Sequence, residues 1–252
     1  MAFPIGPPVE SSGPGGETYA AVLVRADGGE AEVTRALRDL RATGWVAPPD
    51  AGWIAFVAAP GDGVVAAGRR DVLALAGELA ARLDVAVLSV RVRHDRQLVL
   101  AAWRGEDELG RYSSDPSREP GADEEVLAEP VGVEHAAAVA SLAGHPGAEE
   151  VLARILGEEL ESESVFESER LREVLELLTL PSWLVAVAAL PDDVPTGPRA
   201  RSFTRLGAGR AGAAGVVAGR LARVARRRMS VQPAVADPPR ADDLGEIDPW
   251  LL

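Results

Sequence analysis

The sequence VAVLSVRVRHDRQLVLAAWR, residues 85–104, contains two apolar runs that are separated by three polar residues. The runs at 85–93 and 97–104 are long enough for strands, and so short a gap between two strands fits a hairpin. In the first run, apolar side chains alternate with Ser89 and Arg91. This alternation predicts a strand with one buried face and one solvent-exposed face.

The chain before and after this hairpin alternates between strand and helix patterns. Short apolar runs predict buried strands, and apolar residues at spacings of three and four predict amphipathic helices. The predicted elements, in chain order, are strand 18–25, helix 30–43, strand 53–59, helix 69–83, the hairpin and strand 108–113. A small mixed sheet with two helices on one face accommodates this order. The sequence therefore predicts an α+β domain over residues 18–116.

The pattern changes after Pro116. An acidic, Pro-containing linker is predicted at 117–130, followed by an α-rich second half at 131–198 with helices at 133–142, 146–160 and 165–178. Residues 199–228 form an Arg-rich segment, which we interpret as a conditional helix because each of its glycines costs a helix up to about 1 kcal/mol. The Pro- and Gly-rich ends predict a disordered arm at 1–17 and a disordered tail at 229–252.

Charge is divided sharply along the chain. The net charge is −13 and all 26 basic residues are arginine. Residues 123–176 contain fifteen acids and three arginines, whereas residues 194–236 contain nine arginines and no acid. The overall negative charge disfavours nonspecific nucleic-acid binding. The absence of lysine, with frequent Ala, Gly, Val and Pro, is typical of a GC-rich genome.

The composition also bears on redox chemistry and location. The chain contains no cysteine, which excludes disulfides, thiolate nucleophiles and iron–sulfur sites. Its first residues lack the basic and apolar regions of a signal peptide. No uncharged apolar run approaches the roughly 20 residues that span a bilayer. The sequence predicts a cytoplasmic protein without a transmembrane segment.

One cluster of chemically capable residues lies around the third meander strand. The residues of this acidic cluster are Glu106, Glu108, Arg111, Tyr112 and Asp115. Carboxylates in different environments perform acid–base catalysis, so one hypothesis is a small hydrolase or transferase. Acids beside Gly and Pro are also ordinary turn residues, and that structural role is the competing interpretation.

Known cofactor and metal motifs do not fit. Gly207, Gly209 and Gly212 match a loose G-x-G-x-x-G pattern, but no strand is predicted before it and no acid follows near the required distance. The three histidines show no metal-binding spacing. The sequence predicts no cofactor and no metal.

The Arg-rich segment is the stronger functional candidate. Its key arginines flank a narrow apolar stripe and are Arg220, Arg223, Arg226 and Arg227. Such a segment can bind an acidic partner protein, contact an anionic membrane surface, or pack on the protein's own acidic region. Nucleic-acid binding is a further alternative, but the lack of aromatic residues interleaved with the arginines, beyond Phe203, argues against binding of single-stranded nucleic acid. The sequence predicts no specific nucleic-acid partner.

The chain ends in a second candidate. Four apolar residues follow a Pro-rich tether and form a C-terminal peptide: Ile247, Trp250, Leu251 and Leu252. Apolar residues are unusual in a disordered tail, which favours a docking peptide anchored by Trp250. The first hypothesis is therefore a non-enzymatic adaptor or regulatory protein-interaction module with a protein partner, and the enzyme is the alternative. The sequence does not predict an oligomeric state.

Overall fold

The computed structural model describes residues 17–26, 29–59, 70–119, 121–123, 125–158, 166–190 and 192–207. It contains seven strands: β1 (Tyr19–Arg25), β2 (Gly44–Val46), β3 (Trp53–Ala58), β4 (Ala86–Arg93), β5 (Gln97–Arg104), β6 (Asp107–Ser113) and β7 (Thr204–Leu206). Its α-helices are α1 (Glu30–Asp39), α2 (Val72–Leu83), α3 (Ala136–Ala143), α4 (Glu149–Gly157) and α5 (Glu167–Leu177), and the longest 3₁₀ helix is Ser182–Ala189. The predicted α+β class is confirmed.

The strands form one sheet in the order β6-β5-β4-β1-β3-β2-β7, and every pairing is antiparallel. The prediction of a mixed sheet is wrong in this respect. The physical reason is the additional strand β2. It follows α1 and pairs with β3 in an antiparallel direction. The connections through α1 and α2 consequently each join two parallel strands that are separated by one antiparallel strand.

Helices α1 and α2 cover one face of the sheet, as predicted. Their buried side chains, including Leu37 and Leu79, share an apolar cluster with Val22 and Val24 of β1. Asp71 begins α2 by accepting a hydrogen bond from the Ala74 amide at 2.8 Å. This cap supplies one acceptor for the amides that a helix start leaves unpaired.

The helical second half covers the other face. Leu88 and Val90 of β4 share a cluster with Leu152, Leu171 and other residues of α3, α4 and α5. Residues of both β4 faces are therefore buried, and the prediction of a solvent-exposed face is wrong. The alternation in the sequence distinguishes the two faces of β4, but the polar face with Ser89 and Arg91 is buried as well. We call α3, α4, α5 and the 3₁₀ helix Ser182–Ala189 the helical layer.

Two contacts fix the helical layer to the sheet. The Trp183 indole Nε1–H donates to Asp50 Oδ2 at 2.9 Å, and the Trp183 ring meets Phe203 edge-on at 5.7 Å between centroids. The predicted domain boundaries stay predictions, but residues from both sides of them share this core.

The sheet's last strand begins inside the predicted Arg-rich segment. Strand β7 pairs with β2, and the sequence predicts neither of these two strands. The Arg205 guanidinium lies 5.3 Å from the centre of the Trp45 ring, a distance typical of cation–π contact. The first residues of the Arg-rich segment are thus part of the sheet.

Candidate functional site

The predicted acidic cluster is divided along strand β6. Glu106 lies exposed in the turn between β5 and β6. Glu108 accepts two hydrogen bonds from Arg111, at 2.9 Å from Nε and 3.0 Å from Nη2, and both side chains are substantially exposed. Exposed ion pairs contribute only about 0–1 kcal/mol. These three residues form a solvated surface group.

Tyr112 and Asp115 lie toward the other end of β6. Seven residues of strand extend about 20 Å, so Asp115 is far from Glu106. Tyr112 is buried and its hydroxyl donates to the Leu156 carbonyl at 2.8 Å. Asp115 accepts from Arg118 Nε at 2.6 Å and caps the short turn that follows. The structure does not bring the five residues of the acidic cluster together.

A buried charged network lies where Tyr112 meets α5. Arg170 is 4% exposed and Glu167 is 6% exposed, with 3.7 Å between Arg170 Nε and Glu167 Oε2. Arg170 also donates to the Tyr112 hydroxyl and to the Glu158 carbonyl. Burial raises the pKa of Glu167, while Arg170 and a hydrogen bond with Ser114 oppose that rise. Burial also raises the pKa of the Tyr112 phenol.

The β4–β5 turn completes this network. Asp95 Oδ1 accepts hydrogen bonds from the Ser168 amide at 2.8 Å and the Ser168 hydroxyl at 2.6 Å. The Tyr19 hydroxyl lies 3.0 Å from Ser168 Oγ, and the Glu167 amide donates to the Asp95 carbonyl at 3.2 Å. A carboxylate at a helix N-terminus is favourable for both hydrogen bonding and the helix dipole. We call this end of the sheet, at the β4–β5 turn, the hairpin end.

Glu167 predicts a specific pH dependence of stability. In the folded protein, the pKa of the Glu167 carboxyl is raised above its ordinary value of 4.5. Between the unfolded and the folded pKa, the folded state keeps a proton that the unfolded state has released. The contribution of this proton to folding stability is therefore fully present below about pH 4.5 and is lost as pH rises through the folded pKa. We expect the stability of the native protein relative to a Glu167→Gln variant to increase as pH falls from 7 to 4.5 in urea unfolding. A difference that stays constant, or decreases, would contradict this assignment.

A second polar cluster lies at the same end on the α2 face. The Arg91 Nη2 donates to both carboxylate oxygens of Glu119 at 2.6 Å, and its Nη1 lies 3.6 Å from Asp71 Oδ2. Gln97 Nε2 donates to the Asp115 carbonyl at 2.7 Å and to Glu119 Oε1 at 3.3 Å. Arg91 is 6% exposed and Gln97 is fully buried. The start of the predicted acidic linker is therefore tied to the sheet.

The sheet opens slightly at the hairpin end. Pairing between β1 and β3 ends at Ala21 and Val57, whereas β1 continues to pair with β4 as far as Tyr19. The resulting cleft has about 30 Å³ of free volume and is lined by residues that include Tyr19, Trp45 and Arg91. This volume suffices for one or two water molecules.

A larger groove lies on the surface of the helical layer, between α4 and α5. It has about 810 Å³ of free volume and is lined by Val151, Arg154, Ile155, Gly157, Glu158 and Glu173. Val151 is 37% exposed, which makes it one of the few large apolar side chains open to solvent among the described residues. This depression is wide and open to solvent, so it offers a docking surface rather than an enclosed ligand-binding cleft. We call this feature the α4–α5 groove.

The predicted partner-binding residues lie outside the described residues. They are Arg220, Arg223, Arg226 and Arg227 of the Arg-rich segment and Ile247, Trp250, Leu251 and Leu252 of the C-terminal peptide. The predicted arm at 1–17, except for Glu17, and the predicted tail at 229–252 also lie there.

Comparisons with known proteins give no relative for this chain. No family, no curated protein and no solved structure matches it. Within the described ranges, no helix is long and apolar enough to cross a membrane. The same part of the chain contains no group of three or more His, Asp or Glu side chains arranged to hold a metal ion.

Sequence reasoning missed most of the residues that organise the hairpin end, namely Tyr19, Asp95, Glu167 and Arg170. Their separation along the chain hid them, because Asp95 and its partner Ser168 are 73 positions apart. One sequence signal did exist. Arg170 immediately precedes Leu171 in the apolar stripe of α5, so it lies at the border of the buried helix face.

Proposed function

We propose that this protein is a non-enzymatic protein-interaction module that acts in the cytoplasm. It binds a partner protein through the Arg-rich segment and the C-terminal peptide. The proposed contact residues are Arg220, Arg223, Arg226, Arg227, Ile247, Trp250, Leu251 and Leu252.

The observation that carries the proposal is the position of β7. Thr204–Leu206 pairs with β2 at the edge of the sheet, so the remaining arginines follow directly from a fixed point on a folded body. Residues 208–236 contain six arginines and no acid. Guanidinium groups form paired hydrogen bonds with carboxylates, which suits an acidic surface on the partner. Trp250 supplies the large aromatic anchor that commonly dominates binding energy.

Site-specific photo-crosslinking in cells of the native organism tests this proposal. A benzophenone amino acid is placed at Ala225 in one variant and at Asp248 in another, next to the proposed contact residues, and the matched control carries it at Leu127, which is 67% exposed. We expect positions 225 and 248 to capture the same protein, with a yield about tenfold above the control, because both variants keep Trp250, and a buried anchor of about 2 kcal/mol changes affinity by more than tenfold. Yields equal to the control at both positions would contradict the proposal.

A further inference from the structure

The α4–α5 groove has both the apolar floor and the negative rim that a basic amphipathic helix requires. Val151 and Ile155 lie one turn apart on α4, and we call these two apolar residues the floor; Glu158 and Glu173 belong to the same lining, and we call these two acids the rim. Glu150, Glu169 and Glu176 are further exposed acids on the same two helices. Among the described residues of the lining, Arg154 is the one basic side chain, and Arg172 is an exposed arginine of α5. The exposed acids on the described parts of α4 and α5 outnumber these two arginines, so this surface is acidic.

We infer that residues 213–228 of this same chain dock in the α4–α5 groove. The docking concerns the isolated chain and does not depend on the proposed function. The regulatory role that we assign to the docking does rest on the proposed function. Bound in this way, the arginines that would contact a partner are paired with the protein's own acids. Internal docking therefore lowers the affinity for the partner.

The sequence of the occupant fits the surface of the groove. Ala213, Val217, Leu221 and Val224 recur at helical spacing and form one apolar stripe. Amphipathic helices bind grooves through such a stripe, and Val217 with Leu221 matches the one-turn spacing of the groove floor. Arg220 and Arg223 flank the stripe, so each can face a carboxylate of the rim.

The chain is long enough to make this contact. Gly207 follows β7 at one edge of the sheet, and α5 packs on β5, which lies five strands away in the order. Five strand spacings of about 4.8 Å amount to about 24 Å across the sheet. The helical layer adds about 10 Å in height, so the straight-line distance is about 26 Å. Residues 208–216 reach up to about 30 Å at about 3.3–3.6 Å each, so Val217 reaches the groove with β7 still paired with β2 when these nine residues are almost fully extended.

The absence of native cysteine allows a direct test by disulfide formation in the purified full chain. The test pair is Val151→Cys with Leu221→Cys. The control pair is Glu32→Cys with Leu221→Cys, because Glu32 is an exposed residue of α1 on the opposite face of the sheet. Mild oxidation followed by mass spectrometry of the digested protein gives the rate of each crosslink.

We expect the 151–221 crosslink to form at least tenfold faster than the 32–221 crosslink. Adding Glu158→Arg and Glu173→Arg, both at exposed positions, reduces the 151–221 rate to that of the control pair. Raising the salt concentration to 1 M, where the Debye length is about 3 Å, slows the crosslink without any substitution. Equal rates for the two pairs, or a 151–221 rate that is insensitive to both charge reversal and salt, would overturn the inference.

This experiment separates the inference from the proposed function. Disulfide formation uses only the purified chain, so it can succeed when photo-crosslinking finds no partner, and it can fail when a partner is found. If both hold, the chain with Glu158→Arg and Glu173→Arg must capture more partner through the crosslinker at position 248 than the chain without these two substitutions does. An unchanged yield would refute the regulatory role and leave the docking result standing.

Discussion

An Arg170→Met variant is expected to lose about 3–5 kcal/mol of unfolding free energy, the usual cost of removing one member of a buried ion pair. Met retains most of the apolar volume of the Arg170 stem, so the loss comes from the charge and its hydrogen bonds. Without the guanidinium, Glu167 loses its ion-pair partner Arg170, and the Tyr112 hydroxyl and Glu158 carbonyl lose a donor. Urea unfolding at neutral pH measures the difference.

Arg172→Met is the matched control, because Arg172 is an exposed residue of the same helix. Surface substitutions of this kind usually change stability by less than about 0.5 kcal/mol. Adding Glu167→Gln to Arg170→Met should restore part of the loss, since it removes the unpaired buried charge. If Arg170→Met costs no more than Arg172→Met, the network at the hairpin end is not the structural centre that we describe.

Trp183→Ala is expected to cost about 3–5 kcal/mol, as truncation of a buried Trp generally does. Trp183 is 4% exposed and joins the helical layer to the sheet through Asp50 and Phe203. The Trp183→Phe control removes the indole donor and leaves most of the packing, so its cost should be nearer 1–3 kcal/mol.

The shape of the unfolding curve carries additional information. Because both halves of the chain share one apolar cluster, the native protein and the Trp183→Ala variant should each unfold in a single transition. The coincidence of tyrosine and tryptophan signals with circular dichroism tests this point. A variant whose helical layer unfolds first, leaving the sheet folded, would support the predicted division at residues 117–130 as a true domain boundary.

Sequence periodicity predicted the strands and helices with long apolar patterns. Strand β5 was predicted with the bounds that it has, at 97–104. Strands β2 and β7 have three residues each, and so few residues carry no periodic signal. Gly44 directly follows the predicted helix at 30–43, and in the structure it begins β2. A side chain at this position would collide with the Val57 carbonyl oxygen.

The extent of burial could not be predicted from one strand alone. Ser89 and Arg91 indicated a wet face, but both are buried. Arg91 is accommodated because Glu119, 28 residues later, returns to pair with it. Similarly, the residues of the acidic cluster are close in sequence, but the extended strand β6 places them far apart. The burial of Arg91 and the surroundings of the acidic cluster both depend on residues distant in sequence, and a local sequence pattern does not identify such residues.

The structure also determines how the C-terminal peptide has to be tested. Four tryptophans are buried: Trp45, Trp53, Trp103 and Trp183. Replacing all four to isolate Trp250 fluorescence would damage the core, given the cost of altering buried aromatic residues. Fluorine labelling avoids these substitutions, because all five tryptophans can carry 5-fluorotryptophan and Trp250→Phe identifies the fifth signal.

The most direct test of the proposed interaction is a ¹⁹F NMR titration of the labelled full chain with the purified partner that photo-crosslinking identifies. We predict that the Trp250 signal shifts or broadens as partner is added, while the four buried tryptophans keep their shifts and serve as internal references. In the chain with Glu158→Arg and Glu173→Arg, where internal docking is removed, changing Arg220, Arg223, Arg226 and Arg227 to Gln should weaken the binding about tenfold or more, because four exposed ion pairs contribute up to about 1 kcal/mol each. A Trp250 signal that does not respond at saturating partner, or an affinity unchanged by the four substitutions, would contradict the proposed function.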